Sequence, residues 1–315
     1  MIHKKIALLS LPLIALLSGC GGGGGGGGSS LTQITFTDID SVTVPSVVNI
    51  NSGIARDFSY TASSTAVTSV FTNPTDIDPS GVALTYNSDT TLNKVAITTD
   101  NSSVTINESS GGNIGNLGND IVYGYDSAGE DFILAANPVS SNIDWNYQTF
   151  GIWETGRGTG SGTAGGISVG ALTDPSNIPT SGSATFSGYY GGVLVDTTGN
   201  DFITKGSLTA TIADWSARSI AFQTSNDQYV SPVSSTPSWK SDPSQAMSGT
   251  LSYSSSYNAD NIVFGGVITD GYGWSGTLAG KFYGPNAEEM GGVFSIYGNG
   301  GVGIETHAGA FGAAQ

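Results

Sequence analysis

The sequence predicts an all-β protein: an N-terminal β-rich handle domain followed by an antiparallel eight-stranded soluble β-barrel. Three observations carry this. Glycine is unusually frequent, at 47 of 315 residues, and only 11% of residues are charged. With abundant Ser, Thr and aromatics, that mix favours twisted sheets and turns over helices. Apolar residues recur with a period of two, not 3.6, above all in Trp274 to Tyr283 and Met290 to Tyr297, which flank Gly284-Pro285-Asn286 as a β-hairpin. The second half holds enough such runs to close a barrel, and closure leaves no free sheet edge.

The chain begins with a basic start, Met1 to Lys5, an apolar run, Ile6 to Leu17, and then Leu17-Ser18-Gly19-Cys20. The run is too short for a spanning helix, which needs about 20 apolar residues. Leu-Ser-Gly-Cys matches the lipobox of bacterial lipoproteins. Residues 1–19 are therefore expected to be a signal peptide, cleaved between Gly19 and Cys20, with the Cys20 thiol carrying lipid. Several acyl chains of the palmitate kind on one residue hold a protein stably on a bilayer, where a single chain does so only marginally. Gly21, in place of Asp, favours outer-membrane sorting by analogy with enterobacterial lipoproteins. Residues 20–30 are Cys20 with a Gly/Ser tether, whose typical span is roughly 16–19 Å.

Cys20 is the only cysteine, so no intramolecular disulfide and no Cys-based metal cluster can form. The formal charge is -16; without Lys4 and Lys5, 7 basic residues face 25 acidic ones, or -18. Such a surface repels nucleic acid and anionic headgroups, so no nucleic-acid partner is expected.

Residues 31–140 form the expected handle. Short strand-like runs are Ile34 to Phe36, Ala83 to Tyr86, Val95 to Thr98, Ser103 to Ile106, Ile121 to Tyr125 and Phe132 to Ala135, with Tyr125 to Asp131 as a hairpin turn between the last two. Thr37-Asp38-Ile39-Asp40 and Thr75-Asp76-Ile77-Asp78 lack the glycine and terminal glutamate of a calcium loop and read as turn or edge residues. Ser109 to Asn119 reads as a loop.

Residues 141–315 form the expected barrel. Its strands are Phe150 to Trp153, Ala184 to Val195, Phe202 to Ile212, Arg218 to Gln223, Ser248 to Tyr253, Ile262 to Ile268, the two runs of the hairpin, and Gly303 to Phe311. Phe186, Gly188, Tyr190, Gly192 and Leu194 share one face of their strand, and Gly206, Leu208, Ala210 and Ile212 share one face of theirs. Glycines beside large aromatics suit a strongly curved small barrel filled by side chains. A membrane-spanning barrel would need an outward apolar band of roughly 25 Å. Here the opposite faces carry Ser, Thr, Gln and Lys.

Several stretches resemble the barrel domain of transferrin-binding protein B-like surface lipoproteins of Gram-negative bacteria. They are Tyr147 to Trp153, Pro179 to Gly188, Leu208 to Ile212 followed by Ala217 to Phe222, the Tyr283 to Gly292 hairpin, and the ending Ala308 to Ala313. The resemblance implies one handle-plus-barrel unit, as in single-unit relatives such as factor H-binding protein and the haemophilin type. It also implies a lipid-anchored location at the outer membrane and cell surface, and a dedicated outer-membrane translocon as export partner. The function expected is capture of an extracellular protein or of an iron- or haem-type ligand. Transferrin specificity does not carry over, because transferrin-binding protein B itself has two lobes. The alternatives are a periplasm-facing solute-binding lipoprotein and a surface adhesion or shielding protein without a small ligand.

Two long connections, Gly156 to Gly182 and Thr224 to Met247, lack apolar periodicity and read as loops. Tyr229 and Trp239 in the second, with Tyr272 and Trp274 at the Asp270-Gly271 turn, are the candidate partner-binding residues, being of the types that anchor protein interfaces. Trp239 is the leading one; the competing reading folds its ring onto the barrel wall. His307 is the only histidine outside the signal segment. In haemophilin-type relatives a histidine binds haem iron, with Met247 or Met290 available here as a soft partner. The competing reading makes His307 a surface or pairing residue beside Glu305. No catalytic residue, metal ligand or other cofactor site stands out: one histidine, no usable thiol and no phosphate-binding glycine loop leave little for a triad, a zinc site or a nucleotide site. A non-enzymatic protein is expected.

Overall fold

The computed structural model describes residues 47–50, 52–62, 67–71, 75–77, 81–87, 91–117, 121–138, 145–196, 200–230, 238–254, 264–299 and 304–315. The expected signal peptide, Cys20, the tether and the Ile34 to Phe36 run lie outside these residues. The chain is all-β, with three layers: a small sheet, a larger sheet, and a closed barrel.

The first half builds two sheets. β1 (Val47–Ile50), β5 (Gly81–Tyr86), β6 (Leu92–Thr98) and β7 (Ser103–Asn107) pair in the order β1-β5-β6-β7. The larger sheet starts at β3 (Val67–Phe71) and β4 (Thr75–Ile77), which both pair along one edge of β2 (Gly53–Ala62). It continues through β12 (Ser161–Gly170), β11 (Gln148–Glu154), β10 (Phe132–Ala136) and β9 (Ile121–Tyr125) to β8 (Asn113–Asn116). Every pairing is antiparallel, with Leu134 opposite Ile152 and Gly151 opposite Ile167. Period two explains the layering. In β11, Phe150 and Ile152 join a cluster shared with the barrel, while Trp153 joins Leu84, Val95 and Ile97 against the small sheet.

The barrel comprises β13 (Ala184–Val195), β14 (Asp201–Ile212), β15 (Ser219–Val230), β17 (Met247–Tyr253), β18 (Phe264–Asp270), β19 (Ser275–Tyr283), β20 (Glu289–Asn299) and β21 (Ile304–Ala314), with the two-residue β16 (Lys240–Ser241) beside β15. β14 pairs with both β13 and β15, and β21 with both β13 and β20, so the eight strands close. Phe186, Leu208, Phe222, Leu251, Phe282, Phe294 and Phe311 fill the interior, and Trp215 caps one end with Phe282 5.4 Å away. Outward positions include the exposed Ser248, Thr250, Thr269, Ser275 and Thr277.

The structure corrects the expected division at residue 140. Phe150 to Trp153 is not the first barrel strand; β11 pairs with β10 and β12 in the larger sheet, and the barrel starts at Ala184. Gly156 to Gly182 is not one long loop either, because it contains β12, buried from Ala164 to Gly170. Lying between two layers, β12 has no solvent face, so its sequence cannot alternate apolar with polar. Thr224 to Met247 likewise begins inside a strand, since β15 runs on to Val230 past an irregularity at Lys205/Ser207, with Asn226 at φ 55°. Ser109 to Asn119 includes β8, a short edge strand.

Large sheet and barrel meet over a mixed interface. Val193, Val195, Val293, Ala308 and Ala310 of the barrel pack against Ile54, Phe58, Leu134 and Phe150. The strands approach closely at Gly166, where an added Cβ would lie 2.4 Å from the Gly309 carbonyl oxygen. Polar groups here are tied across the interface. Gln148 Nε2 donates to the carbonyls of Met290 (2.8 Å) and Ala313 (2.9 Å), and the Arg56 guanidinium donates to Thr277 and Ser295. Tyr60 donates to Glu154 at 3.0 Å, with Arg157 Nε 3.6 Å from Glu154 and 3.8 Å from Asp201. This contact also buries Lys281 and Tyr283, which the alternation alone places on a polar outer face.

Candidate partner-binding surface

Strand directions bring Val195, Asp201, Val230, Met247, Asp270 and Ser275 to one end of the barrel, where the turn of residues 271–274 lies. The turn of residues 271–274 is built by Asp270. Its Oδ1 accepts from the backbone N–H of Tyr272 (3.0 Å) and Trp274 (2.9 Å), and Gly273 takes a positive φ of 83°. This turn stacks Tyr272 on Trp274 with ring centroids 5.0 Å apart and 23° between planes. Trp274 lies over Gly298, whose missing Cβ makes room for the indole, and packs against the barrel interior. Tyr272 remains 49% exposed, with its hydroxyl donating to Asp242.

Tyr229 stands close by. It meets Phe202 edge-to-face at 5.6 Å, and the Lys240 ammonium sits 6.0 Å from its ring centroid. Tyr229 pairs with Lys240 of β16, two residues before Asp242, the acceptor of the Tyr272 hydroxyl. The structure therefore brings Tyr229, Tyr272 and Trp274 together at the barrel mouth. It sets Trp239 apart: its ring lies under Lys205, 4.4 Å from the ammonium, and packs against the cluster between barrel and large sheet. Trp239 is thus folded, partly buried, onto the wall.

Carboxylates crowd the same end. Burial raises the pKa of Asp270, and burial with the charges of Asp196 and Asp270 raises that of Glu305. Below the mouth, Asp227 accepts from the Tyr190 hydroxyl at 2.7 Å and from Thr224 at 2.8 Å. An exposed aromatic stack ringed by acids suits a partner with basic and apolar groups. Phe202, Lys240 and Asp242 were not visible as participants in the sequence, because strand closure alone brings them here. The only local hint was Asp242-Pro243, a turn-starting pair that forms a short 3₁₀ turn.

His307 is neither a surface residue nor an accessible haem ligand. It is 1% exposed, its Nε2 lies 2.8 Å from Thr204 Oγ1, and its ring is flanked by Phe294 and Tyr190 with centroids at 5.1 and 6.4 Å. Burial lowers its pKa to about 3, so the imidazole is neutral. Met247 and Met290, the possible soft partners, belong to the packed interior.

Glu289, beside the hairpin turn, is structural. Its carboxylate accepts from the backbone N–H of Asn146 (2.6 Å) and Tyr147 (3.2 Å), where the chain passes into the large sheet. Glu288 accepts from Asn286 N–H at 2.8 Å and closes the turn, in which Gly284 takes φ 89°. Gly291 admits Gln148 and Ser168, whose side-chain oxygens would lie 2.3 Å from an added Cβ.

No protein-family model matches the chain, and neither does any curated protein. Among solved structures it is similar to a variant of the vaccine antigen transferrin-binding protein B from Haemophilus parasuis, at 12% identity and a TM-score of 0.40, covering 86% of this chain and 77% of that one. It is also similar to isotype 1 transferrin-binding protein B from serogroup B Neisseria meningitidis, at 15% identity and a TM-score of 0.39, covering 83% of this chain. The match spans 43% of the Neisseria chain, less than half of its length. The sheet-and-barrel architecture rests on the strand register given above and not on these likenesses.

Proposed function

We propose that the chain is a non-enzymatic, lipid-anchored outer-membrane protein that displays its barrel mouth at the cell surface and captures an extracellular protein. The observation that carries the reading is the Tyr272–Trp274 stack: a half-exposed Tyr272 ring backed by a partly buried Trp274, on a turn fixed to a closed barrel and surrounded by carboxylates. A rigid scaffold presenting aromatic side chains at a connection between strands suits binding better than chemistry. The lipobox supplies the anchor and the glycine tether the reach. Export through a dedicated translocon, implied by the family resemblance, belongs to the same proposal. The negative mouth and the chain's excess of acidic residues favour a partner whose contact surface is basic. An iron- or haem-type ligand at His307 is not part of the reading.

Protease treatment of intact cells tests the display. Degradation of the protein from outside is expected, while a periplasmic marker survives. Survival of the protein as well would overturn surface display and return the periplasm-facing alternative.

A further inference from the structure

The barrel end opposite the mouth carries a second feature, formed where the chain enters β13 and where β14 turns into β15. A cavity of about 210 Å³ opens there between two 3₁₀ turns. Pro175, Ile178 and Pro179 form one wall, Trp215 and Tyr253 form another, and Arg218 stands on the lining with them.

The walls are preformed. Asp174 caps the first turn, accepting from Ser176 N–H at 2.8 Å, and Thr173 ties it to the barrel through the Gly284 carbonyl at 2.7 Å. Asp214 caps the second, accepting from Ser216 N–H at 2.9 Å, and Trp215 N–H donates to the Gly182 carbonyl at 2.9 Å. The Tyr253 hydroxyl donates to the Trp215 carbonyl at 2.9 Å, and the two rings meet edge-to-face at 6.1 Å. Such a cleft changes little on binding, so a ligand meets little ordering cost.

Its chemistry is specific. The walls are prolyl, aliphatic and aromatic, and the charge on the lining is a guanidinium. Arg218 is held by its backbone in the left-handed region at φ 52°, donating from its N–H to the Trp215 carbonyl at 3.2 Å. Both ion pairs among the described residues belong to Arg157. In a chain with 25 acidic residues, a guanidinium beside an apolar cleft and outside those pairs is suited to a carboxylate brought by a ligand, which its planar fork of donors matches.

We propose that this cleft is a binding site for a small monocarboxylate with an apolar body of about ten non-hydrogen atoms, its body against Trp215, Tyr253 and the two prolines and its carboxylate on Arg218. The site lies apart from the mouth and does not depend on partner capture there.

Titration of the mature chain with 3-phenylpropionate, and separately with its neutral amide, tests this by calorimetry and by the change in indole fluorescence. Saturable binding of the acid below about 1 mM is expected, with the amide about tenfold weaker or more. That comparison needs no variant. Arg218→Asn, a replacement that tolerates the positive φ and keeps the backbone bonds, should weaken the acid to the level of the amide and leave the amide unchanged. Absence of saturable binding, or acid and amide binding alike, or an acid affinity that Arg218→Asn leaves within twofold, would overturn the proposal.

Discussion

Replacing Glu289 by Gln tests the energetics of the contact between barrel and large sheet. The carboxylate is 2% exposed, and burial pushes its pKa from 4.5 up to about 8 against the opposing pull of the Asn146 and Tyr147 N–H donors. The folded chain therefore keeps a proton there that the unfolded chain has already lost. Stability consequently falls as pH rises between 4.5 and about 8. Integrated over about pH 6.5 to 8.5, a single site of this kind contributes a loss of about 2 kcal/mol. Buried neutral His307 has the opposite sign: its pKa of about 3 makes stability fall as pH drops from 6.5 toward 3. Comparing wild type with Glu289→Gln at the same two pH values cancels that and every other group left unchanged. The amide keeps an acceptor for the N–H donors but does not titrate. Urea unfolding followed by tryptophan fluorescence should show the variant gaining about 2 kcal/mol on wild type between the two pH values. Parallel behaviour would refute the reasoning, because the N–H donors would then have outweighed burial and Glu289 would be ionised throughout.

Other consequences are more local. Gly166→Val forces a branched side chain against the Gly309 backbone and should cost about 3 kcal/mol or more, seen as a lower denaturation midpoint. Thr204→Val keeps the volume but strips His307 Nε2 of its hydroxyl partner inside the barrel, which should cost about 1–3 kcal/mol in thermal or urea unfolding. Asp270→Ala removes the acceptor for two backbone N–H groups of the mouth turn. It should lower stability by about 1–2 kcal/mol and speed amide exchange at Tyr272 and Trp274.

The barrel was legible nearly strand by strand, and Ala184–Val195 was delimited to the residue. Its strands face a packed interior on one side and, for most of the circumference, water on the other, so side-chain character alternates as the backbone does. Where both faces are covered the signal fails. β12 and β2 run between layers, and their Gly, Ala and Ser residues allow close approach without marking a face. β11 does alternate, but its aromatics point to two different cores, so its sequence reads as a barrel strand. His307 escapes for a related reason: it follows the polar pair Glu305-Thr306, and only closure of the barrel puts Thr204, Tyr190 and Phe294 around it. At the mouth, aromatic residue type alone selected Tyr229, Tyr272 and Trp274. What it could not supply was distance, which sets Trp239 against the wall and puts Phe202 beside Tyr229 and Asp242 beside Tyr272.

Capture at the mouth is tested most directly by immobilising the mature chain, exposing it to extracellular fluid, and identifying retained proteins by mass spectrometry alongside Tyr272→Ala and Tyr272→Phe. Tyr272 is half exposed, so neither substitution should alter the barrel, and matched unfolding curves would verify that. The account predicts a basic protein retained by wild type, reduced about tenfold or more by Tyr272→Ala and largely restored by Tyr272→Phe, as for an aromatic anchor at an interface. Equal retention by wild type and Tyr272→Ala, or no protein retained by either, would contradict it.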